Sequence, residues 1–240
     1  MRQSKEAAVV ESKGIEMPNR IRAMQADGVA ENDSIGSDDG LALPIGHGQN
    51  ALYIGIDLGT SRTSVACSNG ARHTVLSYVG YCRDVIGERR FGKRVLFGQE
   101  ALDNRLALDL VRPLRHGVID TADPRAIQAA KELIQHAINL CEPQPGQSVF
   151  AVVGAPARAS IENQRSLLLA IESLAASAMV VSEPFAVAYG LGVLSDALII
   201  DIGAGTTDLC RMHGTMPEEA DQITLLSGGD ALDERLEQEI

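Results

Sequence analysis

Tryptophan is absent, and Phe and Tyr bring the aromatic share of the 240 residues to only 3%. Proteins that hold single-stranded nucleic acid stack bases on aromatic rings, so this shortage argues against that class. Positive charge is scarce as well: 21 Lys and Arg against 32 Asp and Glu leave a net charge of -11. A binder of the nucleic-acid backbone needs clustered cations, and no nucleic-acid partner is expected. A single nucleotide is not excluded, because local N–H groups and a metal suffice for its phosphates. The four cysteines, Cys67, Cys82, Cys141 and Cys210, stand far apart without a C-x-x-C pair or a histidine at zinc spacing. They read as buried thiols of a reducing compartment. No apolar run approaches the ~20 residues that cross a bilayer. Ala7–Val10 is too short for a signal-peptide core, so the expectation is a cytosolic protein without a transmembrane segment.

What is present is a 45% hydrophobic content spread along the chain, enough for one or two domains with ordinary cores. Residues 1–50 are polar and without period, and read as a disordered extension with one short helix around residues 19–26. From Leu52 the pattern turns to β: Leu52–Asp57, Thr63–Ser68 and His73–Val79 are strand-like runs, the last two joined at Asn69-Gly70. That dipeptide signals a type I′ hairpin. Residues 80–120 are less regular and carry the basic cluster Arg89, Arg90, Lys93 and Arg94. A helix is expected over Ala126–Cys141, with Ile127, Ala130, Ile134, Ala137, Ile138 and Cys141 as its apolar stripe. A strand covered on both faces follows at Val149–Gly154. Next come a helix capped by Ser160, with stripe Ile161, Leu168, Ile171 and Ala175, and another buried strand at Ala178–Val181. This β-α-β alternation implies parallel pairing and right-handed crossovers.

Two stretches carry the chemistry. Ala197–Met212 reads A-L-I-I-D-I-G-A-G-T-T-D-L-C-R-M, a strand, a glycine turn and a second strand. Glycines that take positive φ let consecutive N–H groups point into one concavity, a nest suited to phosphate. The flanking carboxylates Asp201 and Asp208 would repel a bare phosphate and so imply a divalent cation or its waters between them. An ordinary bulged hairpin fits the same residues. Leu52–Cys67 repeats the pattern, with Asp57, Gly59, Thr60 and Ser61, 144 positions earlier (201 minus 57). Repetition at that distance suggests two related domains facing one ligand. A Rossmann loop would pass directly into a helix and a P-loop would show G-K-[ST]; neither is present. Between the two turns, Glu183 follows a strand and opens a helix. It either polarises an attacking water at the strand's carboxyl end or merely caps the helix.

These residues resemble the actin, Hsp70 and sugar-kinase ATPase superfamily. Ile56–Ser61 is similar to its first phosphate motif, Glu183–Gly190 to its first connecting motif, and Asp201–Asp208 to its second phosphate motif. Within it the chain resembles the bacterial actins of the MreB type, and among those the magnetosome actin-like members, in Val79–Tyr81, Asp84–Gly87, Gly154–Ser160 and Val180–Phe185. The resemblance implies an α/β actin-like ATPase fold of duplicated, ribonuclease H-like domains. A disordered extension at 1–50 would precede domain I at 51–195, with a small inserted subdomain at about 80–118, and the start of domain II at 196–240. It implies ATP and Mg²⁺ as cofactors, with Gly59, Thr60 and Ser61 on the β-phosphate side and Gly203, Ala204, Gly205, Thr206 and Thr207 on the γ-phosphate side. Asp57 and Asp201 would act on the metal through waters, and Asp201 and Glu183 would be catalytic, Glu183 by positioning the hydrolytic water. The implied function is an ATP-dependent cytoskeletal filament protein in the cytoplasm, organising magnetosomes. It would associate with itself, with a full-length actin-like homologue, or with magnetosome proteins. Family members continue past the position of Ile240, so domain II is expected to be incomplete. The alternatives are a truncated, non-hydrolysing paralogue that co-assembles with or caps a full-length partner, and a monomeric fragment of an Hsp70-type or sugar-kinase-type ATPase.

Overall fold

The computed structural model describes residues 7–11, 50–214 and 216–239. In chain order the strands and helices are β1 (Ala7–Glu11), β2 (Ala51–Leu58), β3 (Arg62–Cys67), β4 (Arg72–Leu76), β5 (Val79–Cys82), α1 (Val85–Phe91), β6 (Val95–Phe97), α2 (Gly98–Asp103), β7 (Leu108–Val111), β8 (Leu114–Arg115), β9 (Val118–Ile119), α3 (Pro124–Leu140), β10 (Ser148–Ala155), α4 (Ile161–Ile171), β11 (Ser177–Ser182), α5 (Glu183–Leu191), β12 (Ser195–Ile202), β13 (Thr207–His213), β14 (Gln222–Leu225) and α6 (Gly229–Gln238).

Two sheets dominate. The first has the order β11-β10-β2-β3-β4: β2, β3 and β4 form an antiparallel meander, and β10 and β11 extend it in parallel from β2. The second has the order β1-β12-β13-β14, all antiparallel. A small third sheet, β6-β5-β7, lies between them in the chain. Ala7–Glu11 thus form a paired strand where the sequence suggested disorder; the helix suggested around residues 19–26 lies outside the described residues.

Alternation explains the first core. Leu52, Ile54, Ile56 and Leu58 of β2 point to one side, as do Val149, Ala151, Val153 and Ala155 of β10. Helices α3 and α4 cover that side, burying Leu133, Ile134, Ile138, Leu167 and Ile171 among them. The sequence reading of β10 as covered on both faces fails: Val152 on its other face is exposed, as is Met179 on β11. The helix stripes are also displaced. Asp123 caps α3 by accepting from the Arg125 N–H (2.8 Å), and Pro124 starts it. Ile127 is nonetheless 42% exposed, and Ala126, Ala129 and Leu133 join the buried side. Ser160 caps α4 as expected, but Ile161 is 86% exposed and Leu167, Ala170 and Ile171 form the contact face at i, i+3 and i+4.

Three further corrections are local. The Asn69-Gly70 turn is not type I′, since positive φ falls on Gly70 (91°) and not on Asn69. The Asn69 side chain donates instead to the Cys141 carbonyl (2.8 Å) and fastens the hairpin to the end of α3. Cys67 and Cys141 are not separate thiols: a disulfide joins them across 74 residues, while Cys82 and Cys210 are free. The basic cluster is partly neutralised by its neighbours, Lys93 with Glu100 (2.6 Å) and Arg94 with Glu88 (3.6 Å).

Candidate functional site

The two turns singled out by sequence end equivalent hairpins. In the first, the Gly59 N–H donates to the Arg62 carbonyl at 3.1 Å; in the second, the Gly203 N–H donates to the Thr206 carbonyl at 2.9 Å. Asp57 pairs with Ser64 across the first hairpin as Asp201 pairs with Asp208 across the second. The turns face each other across a cavity of about 520 Å³ lined by Asp57, Gly59, Thr60, Ser61, Gly203, Ala204, Gly205 and Thr206, with Glu183 at its side. An adjoining cavity of about 630 Å³ is lined by Asp57, Glu183 and Asp201 together with Gly154, Val181 and Ala186. Nine of the proposed site residues, Glu183 included, therefore share one wall-to-wall space, and Asp201 enters from next door.

The glycines serve a different physical purpose from the one read in the sequence. Gly59, Gly203 and Gly205 do not take positive φ. What demands glycine at 205 is proximity: a Cβ there would lie 2.5 Å from Thr60 Oγ1 and 2.9 Å from the Gly117 nitrogen. The second turn is thus pressed onto the first. The Gly59 and Gly203 N–H groups close their own turns.

Two proposed residues do not face the cavity. The Thr207 hydroxyl donates to the Ser227 carbonyl (2.8 Å) and braces its turn from behind. Asp208, only 1% exposed, accepts from the Ala157 N–H (2.7 Å) and the Thr224 hydroxyl (2.6 Å). Its carboxylate ties the segment after β10 to the second hairpin and is not available to a cation between the turns. Arg158 extends the clasp: its N–H donates to Thr224 Oγ1 (2.9 Å) and its guanidinium pairs with Glu219.

Glu183 is the first residue of α5, with Ser182 at the N-cap. Its carboxylate complements the helix dipole and also lines both cavities. It packs against Gly154, where a Cβ would come within 3.1 Å of Glu183 Cγ. Among the described residues no three His, Cys, Asp or Glu side chains converge as a metal-ligand set. Asp57 and Asp201 do approach the same space from the two sheets, an arrangement that suits a hydrated cation beside an anion.

Sequence reasoning missed the braces behind the turns. Ser77 donates its hydroxyl to the Gly59 carbonyl (2.6 Å) and its N–H to the Ser61 carbonyl (2.9 Å). At the second turn, Gly229 and Asp230 at the start of α6 donate N–H groups to the Gly203 (3.0 Å) and Ala204 (2.9 Å) carbonyls. Gly228 is obligatory there, since a Cβ would lie 2.5 Å from the Ala204 oxygen. His116 and Gly117, both with positive φ (49° and 74°), form the tight turn between β8 and β9. The Gly117 N–H donates to Thr60 Oγ1 at 2.9 Å. Arg112 bridges the sheets through Asp230 at 2.8 Å. The H-G and G-G dipeptides were the available signals, but only the fold brings them to this cleft.

Residues 51–240 match the family model described as MreB/Mbl protein. The chain belongs to the MreB/Mbl family. It is 45% identical over 195 residues to the actin-like protein MamK of Paramagnetospirillum magneticum, an alignment covering 81% of this chain and 56% of that protein. The MamK of Magnetospirillum gryphiswaldense is also 45% identical, with 54% of its length covered. This MreB/Mbl chain therefore spans about half the length of the curated relatives it matches. Its fold is actin-like: it superposes on a MamK double helical filament with a TM-score of 0.76 at 44% identity, covering 79% of this chain and 58% of that one. A non-polymerising MamK mutant bound to AMPPNP matches with a TM-score of 0.67. A Spiroplasma citri MreB bound to ADP, at 21% identity and a TM-score of 0.63, shares the fold. The chain thus holds part of an MreB/Mbl actin-like α/β fold. Among the described residues, no helix is long and apolar enough to cross a membrane.

Proposed function

We propose that the chain binds the phosphates of Mg-ATP between its two hairpin turns and serves as an ATP-dependent, actin-like cytoskeletal filament subunit that organises magnetosomes. The observation that carries this reading is the approach of the two turns, with Gly205 seated on Thr60 across a cavity edged by Asp57, Asp201 and Glu183. In this reading Thr60 and Ser61 hold the β-phosphate side, and Ala204, Gly205 and Thr206 the γ-phosphate side. Gly59 and Gly203 shape the turns, and Thr207 supports the second turn through Ser227. Asp57 and Asp201 accept hydrogen bonds from the waters of a Mg²⁺, which when bound neutralises charge developing on the phosphates. Glu183 accepts a hydrogen bond from the attacking water and so fixes its orientation, a positioning role that needs no covalent step. Self-association is supported by the MamK double helical filament to which the chain is similar, and a place in the cytoplasmic cytoskeleton next to magnetosomes is the part of this reading that rests on the resemblance to MamK alone.

A second reading is co-assembly with a full-length actin-like homologue without hydrolysis. Sedimentation with and without ATP and Mg²⁺, alone and mixed with such a homologue, separates the two. Nucleotide-dependent pelleting of the chain alone supports the first, and pelleting only in the mixture supports the second. Turnover of ATP by a strictly monomeric sample would defeat both. At the site, Asp201→Ala abolishes Mg-ATP binding, whereas Glu183→Ala spares binding and slows hydrolysis. Unchanged affinity in the Asp201 variant would overturn the assignment of the turns.

A further inference from the structure

Both turns are held from behind through two of their carbonyls, and the two holds are built differently. At the second turn, the main-chain N–H groups of Gly229 and Asp230 reach the Gly203 and Ala204 carbonyls. At the first, one residue does both: Ser77 gives its hydroxyl to the Gly59 carbonyl at 2.6 Å and its N–H to the Ser61 carbonyl at 2.9 Å. We propose that Ser77, backed by Thr63, is the positioning residue of the first turn. It sets the direction of the amides that receive the β-phosphate side of the nucleotide, an assignment that rests on the phosphates binding between the two turns.

The end of β4 places Ser77. The Tyr78 N–H donates to the Leu76 carbonyl at 2.8 Å, a three-residue turn that bends the chain at Ser77 and sets it under the backbone of residues 59–61. Ser77 is fully buried and Thr63 is 1% exposed, and neither lines the two cavities that the turn borders. Their hydroxyls are 2.9 Å apart. The Gly59 carbonyl can only accept, so the single Ser77 hydroxyl proton is committed to it and Thr63 donates to Ser77. Burying two hydroxyls is unfavourable unless both are hydrogen-bonded. Here both are, with the backbone of the turn as the final acceptor.

Peptide geometry makes this brace directional. Among the described residues no peptide bond is cis, and in a trans unit C=O and N–H point in opposite directions. Drawing the Gly59 carbonyl to Ser77 therefore points the Thr60 N–H away from Ser77, and drawing the Ser61 carbonyl there does the same to the Arg62 N–H. Gly59, Thr60, Ser61 and Arg62 all border the smaller of the two cavities, so in this assignment both amides face the phosphates. Without the Ser77 hydroxyl the unit joining Gly59 to Thr60 is free to rotate, and the Thr60 N–H turns with it.

Affinities for Mg-ATP and Mg-ADP, measured by titration calorimetry on the full chain, test the assignment. Ser77→Ala is expected to weaken both nucleotides about tenfold, and equally, because the turn serves the β-phosphate they share. Thr63→Val keeps the side-chain shape and leaves Ser77 its bond to Gly59. It is expected to weaken both about threefold, and it reads the same brace where Ser77→Ala does not fold. Thr207→Val, at the other turn, is expected to weaken Mg-ATP more than Mg-ADP. Lost stability alone does not produce this pattern: Leu133→Ala, in the core and away from both cavities, is expected to bind as the unmodified chain does. Undiminished affinities in Ser77→Ala and Thr63→Val would overturn the assignment and leave the phosphate reading standing. So would an equal weakening in Leu133→Ala, because Ser77 would then act through stability. Binding of neither nucleotide by the unmodified chain would instead defeat the phosphate reading itself. Hydrogen exchange of residues 58–63 without nucleotide reads the brace separately: it is expected to be about tenfold faster in Ser77→Ala, and unchanged exchange would show that Ser77 does not hold the turn.

Discussion

The two β-meanders present similar turns and rest on very different supports. Beneath β2–β4, the inner face is sealed by α3 and α4 over a core that runs from Leu52 to Ile171. Beneath β12–β14, among the described residues, α5 supplies the cover and the fully buried cluster is Ala188, Ile199, Cys210 and Met212. The opposite face of the second sheet leaves Leu198, Ile202, Ile223 and Leu225 exposed. Local hydrogen bonds are nevertheless duplicated. Ser64 and Thr74 share one at 3.0 Å on the first hairpin, where Asp208 and Thr224 share one at 2.6 Å on the second. A ligand-binding turn can therefore be built from a handful of neighbouring residues, whereas its rigidity depends on what the rest of the chain stacks behind it.

The largest expected difference lies in the cores. Leu133→Ala, at the centre of α3 and fully buried, should lower the free energy of unfolding by about 2–5 kcal/mol. Ile223→Ala, on the open face of the second sheet, should change it by no more than about 0.5 kcal/mol. Urea titrations of both variants decide the matter. A comparable loss from Ile223→Ala would mean that this face is covered in solution and that the contrast between the sheets is false.

Next in size is the register-matched pair on the hairpins. Asp208→Ala removes an acceptor from the Ala157 N–H and the Thr224 hydroxyl and leaves both donors without it in a buried site, at a cost of about 1–3 kcal/mol. Ser64→Ala, which loses an exposed hydroxyl pair, should cost less than about 1 kcal/mol. Thermal unfolding of the two variants should also differ in kind, since only Asp208→Ala loosens the second hairpin from the segment that follows β10. Gly205→Ala is expected to cost about 1–3 kcal/mol by overpacking against Thr60 and Gly117. Alanine at Gly55, whose nearest contact would be the Ala66 oxygen at 3.9 Å, should be tolerated. Similar losses at the two glycines would show that the turns are not pressed together.

Much of this was legible because it is local. An Asp, an apolar residue and a Gly after an apolar run, occurring twice, revealed both turns, and Asp123-Pro124 and Ser160 announced the starts of α3 and α4. Other features depend on distant residues that no local pattern encodes. Asn69 prefers the Cys141 carbonyl to the hairpin geometry its dipeptide favours. The face that α4 buries is set by the sheet beneath it, which selected Leu167 over Ile161. Thr207 and Asp208 looked equivalent to their cleft-facing neighbours until Ser227 and Ala157 were found behind them. The pairing of Ala7–Glu11 with β12 crosses nearly the whole chain, and a five-residue run carries no periodic signal strong enough to predict it.

The smallest expected effect separates the two regions by pH. His136, on α3, stacks on Phe97 with ring centroids 4.3 Å apart. Burial lowers its pKa below the usual 6.5, nearby Lys93 adds to the effect, and Glu100 opposes it. A histidine held neutral by folding contributes stability that is present above its unfolded pKa and lost as pH falls through the folded one. The packing around α3 and the first sheet should therefore weaken on acidification below about 6.5. The corresponding pair at the second sheet is Asp221 with His213, 2.8 Å apart. There the hydrogen bond from His213, aided by the Glu218 N–H, holds the Asp221 carboxyl below its usual 3.8. By the same sign rule, its contribution is lost only in the acid range below that value. Urea unfolding at pH 7.5 and 5.5 should show a smaller pH-dependent loss for His136→Gln than for the unmodified chain, while Asp221→Asn should leave that loss unchanged. Equal losses in the unmodified chain and His136→Gln would show that the neutral stack on Phe97 does not contribute to stability in this range.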